Sequence, residues 1–264
     1  MSDTDSDNEG GLDLFAVPED YYPPSPKPTT AVHTLLDGSP LTVRLVGHNP
    51  LWGHHLWNAG RVTSTYFEKN PELVKNRTVL ELGAAAGVPS MLASKLGAKK
   101  VVVTDYPDNS LIENLLWNIE HCETTPQENG DWEKKPLANI VAEGYLWGAD
   151  PTPLRRHLPA GEEKFDVLIL ADLLFNHSEH IKLISSVQQC LNKEGEALVF
   201  FTPYRPWLYE NDMNFFKLAE EGGFVVEKVL EHKMEQVMFE EDRGDEELRR
   251  TVFGYVMKWK EVEK

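Results

Sequence analysis

Val79-Leu80-Glu81-Leu82-Gly83-Ala84-Ala85-Ala86-Gly87 is the stretch whose reading decides the fold. Apolar residues lead into a turn made of side chains without bulk. A helical pattern follows through Val88, Leu92 and Leu96 to Gly97, and Val101, Val102 and Val103 then run up to Asp105. Strand, small-residue turn, helix, strand and terminal carboxylate make a βαβ unit suited to an adenine nucleoside. Ligand and backbone share the space at such a turn, which excludes bulk. A carboxylate that ends the second strand can accept hydrogen bonds from two ribose hydroxyls, the role expected of Asp105.

Working outward, alternation from Val32 to Leu45 around Asp37-Gly38 predicts a β-hairpin. An amphipathic helix carrying Leu56, Val62, Tyr66 and Phe67 is expected to stop before Pro71. Asn109 to His121 reads as a helix with Leu111, Leu115 and Ile119 on one face, capped by Asn109 or Ser110. The polar span from Glu123 to Pro136 reads as a surface insertion, and Ile140 to Trp147 as a strand. Phe165 to Asp172 is a near-continuous apolar run, the pattern of a strand buried on both faces. A helix over Ser178 to Leu191, a buried strand over Glu196 to Thr202, and a helix from Asn211 or Asp212 to the Gly222-Gly223 stop come next. Phe224 to His232 and Thr251 to Lys260 are joined by an acidic loop without a helix, so they should pair antiparallel. The expected class is α/β: a doubly wound, mostly parallel sheet with a terminal antiparallel strand and its ligand at the carboxyl ends of the strands.

That ending resembles the seven-stranded, Rossmann-like methyltransferase fold, and the motifs agree with it. Glu81 stands two before a Gly-x-Gly-x-Gly-like turn, Thr104-Asp105-Tyr106 matches the ribose-binding acid, and Asp166 to Asp172 matches the later strand beside the cofactor. More narrowly, the chain resembles the fungal branch of family 16 protein lysine methyltransferases. The resemblance is carried by Pro50-Leu51-Trp52-Gly53 with Trp57, by Gly87-Val88-Pro89-Ser90 and by Asp105-Tyr106-Pro107. Tyr145-Leu146-Trp147-Gly148 and Asp172-Leu173-Leu174-Phe175-Asn176-His177 complete it, so that it covers nearly all of the chain after residue 30.

The resemblance implies S-adenosyl-L-methionine as cofactor and a protein acceptor, the N-terminal α-amine and adjacent lysine of translation elongation factor 1-alpha. It implies that Trp57 and Trp147 flank the cofactor, with Gly83, Ala84 and Ala85 bringing backbone to its methionine half and Ala171 touching it through backbone. Asp172 and Asn176, on the loop where the amine arrives, are the candidate catalytic residues, positioning the acceptor by hydrogen bonds. Glu81 is either a buried acid that orders the turn or a partner for the methionine amino group. One letter departs from the pattern: the central glycine is Ala85, which admits close approach only if its φ stays negative.

Two rival readings stand beside this one. A nicotinamide-dependent oxidoreductase also uses a glycine turn and an acid roughly 20 residues on, but lacks the antiparallel finish. A non-catalytic cofactor-binding domain would share every motif. An Asn/Asp-Pro-Pro-Tyr/Phe loop of nucleic-acid amino-methyltransferases is replaced here by Asp172-Leu173-Leu174-Phe175.

Composition narrows the partners. The 264 residues carry a formal net charge of -17, a field that disfavours nucleic acid and favours a cationic protein segment. Two cysteines, Cys122 and Cys190, make neither a disulfide framework nor a metal cluster, and adjacent His54 and His55 lack companion ligands, so no metal is expected. The acidic start, without leader character, and the absence of a membrane-length apolar run predict a soluble cytoplasmic protein. Residues 1–30, acidic and then proline-rich, read as a disordered arm ahead of a methyltransferase domain over 31–264.

Overall fold

The structure, a computed structural model, describes residues 26–122, 124–126, 132–134 and 137–261. Most of the expected N-terminal arm and most of the 123–136 insertion therefore lie outside the described residues.

The strands are β1 (Thr29–Thr34), β2 (Pro40–Leu45), β3 (Thr78–Leu82), β4 (Lys100–Asp105), β5 (Thr124–Pro126), β6 (Trp132–Lys134) and β7 (Ile140–Gly144). They continue with β8 (Phe165–Ala171), β9 (Leu191–Phe201), β10 (Phe224–Lys233) and β11 (Thr251–Trp259). The helices are α1 (Asn58–Lys69), α2 (Val88–Lys95), α3 (Asn109–His121), α4 (Thr152–Arg155), α5 (His180–Cys190), α6 (Tyr209–Glu221) and α7 (Glu246–Arg249).

Seven strands form one sheet in the order β10-β11-β9-β8-β3-β4-β7. Neighbours from β9 to β7 are parallel, and β11 runs antiparallel to both β9 and β10. The expected antiparallel pair is present, although the short helix α7, capped by Asp245, stands in the loop expected to hold none, and β11 slots between β10 and β9, leaving β10 on the edge. The β1–β2 hairpin forms as Asp37-Gly38 predicts, with Gly38 at φ +84.

Period-two alternation sorts the central strands between two apolar layers. Val79, Val101, Val103, Val167, Ile169, Leu198 and Phe200 face the layer built with α1, α2 and the hairpin. Leu80, Leu82, Val102, Leu168, Leu170, Val199 and Phe201 face the layer built with α5 and α6. Covering both faces in this way is what lets a parallel sheet read as continuous apolar runs.

Helix ends differ from expectation in two places, both for local chemical reasons. The cap of α3 is Asp108, whose Oδ1 accepts the N–H groups of Ser110 and Leu111 at 2.9 and 3.4 Å, so neither Asn109 nor Ser110 caps it. Helix α6 starts at Tyr209, ahead of Asn211, because a 3-10 turn at Pro206–Leu208 already supplies the first turn. Among the described residues, no helix is long and apolar enough to cross a membrane.

Candidate active site

The turn after β3 is the floor of the site. Gly83, Ala85 and Gly87 all take positive φ, at +60, +50 and +74. A Cβ on Gly83 would stand 2.7 Å from Leu173 Cδ2 and 3.2 Å from Trp147 Cζ2, so a side chain there would have to shift both and would also strain the positive φ. Ala85 does not meet the condition of a negative φ. Its methyl group sits in the left-handed region, a conformation that costs a non-glycine residue on the order of 1 kcal/mol. The neighbouring strand holds it there: Ala85 N–H donates to Asp105 Oδ2 at 2.7 Å, and Ala84 N–H to Thr104 O at 2.9 Å.

Asp105 thus does structural work before it meets any ligand. Its Oδ1 also accepts the N–H of Tyr106 at 2.7 Å. Burial raises its carboxyl to about 6, against the pull of those two bonds, so it is ionised at neutral pH and keeps free lone pairs. Glu81, 1% exposed, lies beneath the same turn and accepts the N–H of Ser90, an otherwise orphan donor in the first turn of α2, at 3.0 Å. Burial first, and then the nearby Asp105 charge, lift its carboxyl to about 8, so it carries a proton at neutral pH.

The walls come from loops at the carboxyl ends of the strands. Trp57 immediately precedes α1; its indole N–H donates to Trp52 O at 3.1 Å, and its ring lies 5.1 Å from Tyr204 and 6.0 Å from Phe239. Phe239 arrives from the β10–β11 loop and is tied down by Arg249 Nη1, which donates to its carbonyl at 2.7 Å. Trp147 stands before Gly148, whose N–H donates to Ser186 Oγ at 2.8 Å.

Asp172 closes β8 at φ +56. Its Oδ2 accepts the N–H of Ala59 at 2.8 Å and the hydroxyl of Tyr204 at 3.3 Å, while Oδ1 accepts the N–H of Thr202 at 2.7 Å. The carboxylate is buried, and burial lifts it to about 7 despite these donors. Downstream, the same loop is tied by Arg205 Nη2 donating to Phe175 O at 2.6 Å, by His177 Nε2 on Asp212 Oδ1 at 2.6 Å and by His180 Nε2 on Leu174 O at 2.8 Å. Asn176 Oδ1 accepts Ser178 Oγ at 3.0 Å.

Together these groups enclose a cavity of about 500 Å³, within the range of small-ligand sites. Trp57, Gly83, Ala85, Asp105, Trp147, Ala171, Asp172 and Asn176 line it, residues spread over a little under half of the chain. Ala84 does not; it lines an adjoining space of about 20 Å³ together with Glu81, Gly87 and Ala171. Leu51, Trp52, Tyr106, Leu146 and Phe175, each 40–49% exposed, form an apolar rim. Glu179 and Arg205 also face the cavity, and sequence reasoning missed both. For Arg205 the available signal was its place just beyond a buried strand. The rings of His54 and His55 lie 4.1 Å apart, tilted by 44°, within the aromatic group around Trp57, and no three His, Cys, Asp or Glu side chains among the described residues are placed to hold a metal ion.

Flat aromatic walls, a strand-end carboxylate with spare lone pairs and a turn of glycine and alanine fit an adenosyl cofactor. With the sheet order, they define a seven-stranded S-adenosylmethionine-dependent methyltransferase. A structure from Streptococcus mutans, a putative methyltransferase of this kind, superposes with a TM-score of 0.55 at 16% identity, covering 88% of this chain and 56% of that one. One from Aquifex aeolicus gives 0.52 at 16%, covering 80% and 98%. At such identities the likeness concerns the fold.

A family model described as lysine methyltransferase matches residues 36–222, and the chain belongs to that family. A protein N-terminal and lysine N-methyltransferase of Neurospora crassa is 53% identical over 262 residues, spanning 97% of this chain and 91% of that protein. Proteins of the same name from Gibberella zeae and Emericella nidulans are each 46% identical, over 94% of this chain and 94% and 96% of theirs.

Proposed function

We propose that this methyltransferase modifies a protein N-terminal α-amine, a lysine, or both, and that its acceptor is translation elongation factor 1-alpha in the cytoplasm. The observation that carries the reading is the convergence on one cavity of residues from four motifs quoted for the resemblance, those at Pro50, Asp105, Tyr145 and Asp172, with Gly87-Val88-Pro89 lining the adjoining space. The names of the fungal relatives support the acceptor chemistry.

S-adenosylmethionine supplies an electrophilic methyl group. In this reading Asp105 accepts the ribose hydroxyls, Trp57 and Trp147 cover the adenosyl group, and Gly83, Ala84, Ala85 and Ala171 offer backbone to the rest of the cofactor. The protein's further task is to deliver a neutral amine along the carbon–sulfur axis and exclude water. A lysine near 10.4 is harder to neutralise than an α-amine near 7.8, by about 3.5 kcal/mol. The apolar rim of Leu51, Trp52, Tyr106, Leu146 and Phe175 favours the neutral form of either. Asn176 is the side chain offered to the amine. Asp172 sits beside it with its oxygens already engaged, so its effect on the amine runs through the loop it fastens.

The test is incubation with labelled S-adenosylmethionine and purified elongation factor 1-alpha, followed by mass spectrometry of the modified peptides. Label on the N-terminal peptide supports the reading. Label only on other proteins of a lysate rejects this acceptor, and cofactor binding without any transfer supports a non-catalytic domain.

A further inference from the structure

Tyr204 lies outside the cavity lining, yet it joins three elements that build the wall. Its hydroxyl donates to Asp172 Oδ2 and accepts the N–H of Asn58, the first residue of α1, both at 3.3 Å. Its ring packs 5.1 Å from Trp57 and 5.7 Å from Phe239. Asp172 in turn accepts the N–H of Ala59, the second residue of α1. The orphan donors at the start of α1 are therefore satisfied by residues from the ends of β8 and β9, because the residue before the helix is Trp57 and makes no side-chain cap. An indole has no acceptor with which to cap a helix N-terminus, and here a tertiary clamp does so while the indole, bonded to Trp52 O, lines the cavity.

We propose that Tyr204 is a positioning residue for cofactor binding: with Asp172 it clamps the N-terminus of α1 and so fixes Trp57 as the cavity wall. The inference rests on the reading of this cavity as the S-adenosylmethionine site.

The clamp is strongest with Asp172 ionised, since Ala59 N–H, Thr202 N–H and the tyrosine hydroxyl all point donors at it. Burial holds that carboxyl at about 7, so clamping strengthens as pH rises through neutrality. Tyr204 is the titratable side chain that touches Asp172. From α1 and β9 Asp172 meets backbone N–H groups, and the neighbouring Arg205 turns to the carbonyl of Phe175. Removing one donor to an ionised carboxylate raises its pKa by about one unit.

Calorimetric titration of the full chain with S-adenosylmethionine at pH 6, 7 and 9 tests this with Tyr204→Phe, which keeps the ring against Trp57. For a site that needs the ionised clamp, a one-unit rise weakens binding about ninefold at pH 6 and about fivefold at pH 7, on top of the pH-independent loss read at pH 9 from the Asn58 N–H that Phe cannot accept. Asp105 and Glu81 titrate in the same range, but equally in both proteins, so the ratio of Kd values isolates Asp172. Amide exchange over residues 57–62 should be faster in the variant at pH 9, where the Asn58 N–H has lost its acceptor, and faster still relative to wild type at pH 6. A Kd ratio that does not change with pH, including a ratio of one throughout, overturns the proposal. No binding by the wild-type chain at any pH instead overturns the cavity assignment, and the clamp's role with it.

Discussion

The turn after β3 and the loop after β8 solve one geometric problem in opposite ways. Each must reverse direction at the carboxyl edge of the sheet beside the cavity, and each places a non-glycine residue in the left-handed region, Ala85 at φ +50 and Asp172 at φ +56. At Ala85 the strained residue contributes only its backbone, and the carboxylate that restrains it belongs to Asp105. At Asp172 the strained residue is itself the fastener, its side chain reaching α1 and the end of β9. Strain at the first turn is therefore incidental to the methyl group, whereas at the second it is inseparable from the side chain that stabilises it.

Substitutions can break or sharpen that contrast. Asp172→Ala should show the largest loss, about 3 kcal/mol at pH 8 by denaturant titration, because two buried N–H groups lose their acceptor and the strained φ remains. Asp172→Gly should lose about 1 kcal/mol less, the difference measuring the strain alone. Equal losses would mean that Asp172 carries no backbone strain.

Glu81 probes the floor of the first turn through pH. Its carboxyl titrates at about 8 in the folded chain against an ordinary 4.5, so the folded state keeps a proton that the unfolded state releases. The stability this adds is whole below pH 4.5 and is lost as pH rises to about 8. Glu81→Gln should therefore gain on the wild type by about 3.5 kcal/mol between pH 5 and pH 8. Parallel stability curves for the two proteins would show that Glu81 is not held protonated.

Ala85→Gly should produce the smallest change and the opposite sign from Asp172→Gly, a gain of about 0.5–1 kcal/mol as the positive φ ceases to be penalised. A loss at this position would place a packing role on the Ala85 methyl group.

The same contrast marks how far the sequence could be read. The small-residue turn, Asp105 and the alternating strands were legible because they are local: periodicity, bulk and spacing are properties of contiguous residues. Trp57, Trp147 and Asn176 were found through motifs, and the folded chain brings them to the same cavity. The sign of φ at Ala85 was left open by the sequence, because the acceptor that holds its N–H, Asp105 Oδ2, lies 20 positions on. The engagement of Asp172 was invisible for a similar reason, since its partners lie 113 and 30 residues away.

By itself, then, the sequence determined an α/β chain with a nucleoside-binding βαβ unit, an antiparallel finish and an acidic surface, because each follows from side-chain period, size or charge along the chain. The tertiary structure alone decided that β11 slots between β9 and β10, that Phe239 and Arg205 reach the cavity region, and that Asp172 and Tyr204 cap α1. Those are choices among partners far apart in sequence, settled by which buried donors and acceptors could be satisfied at once.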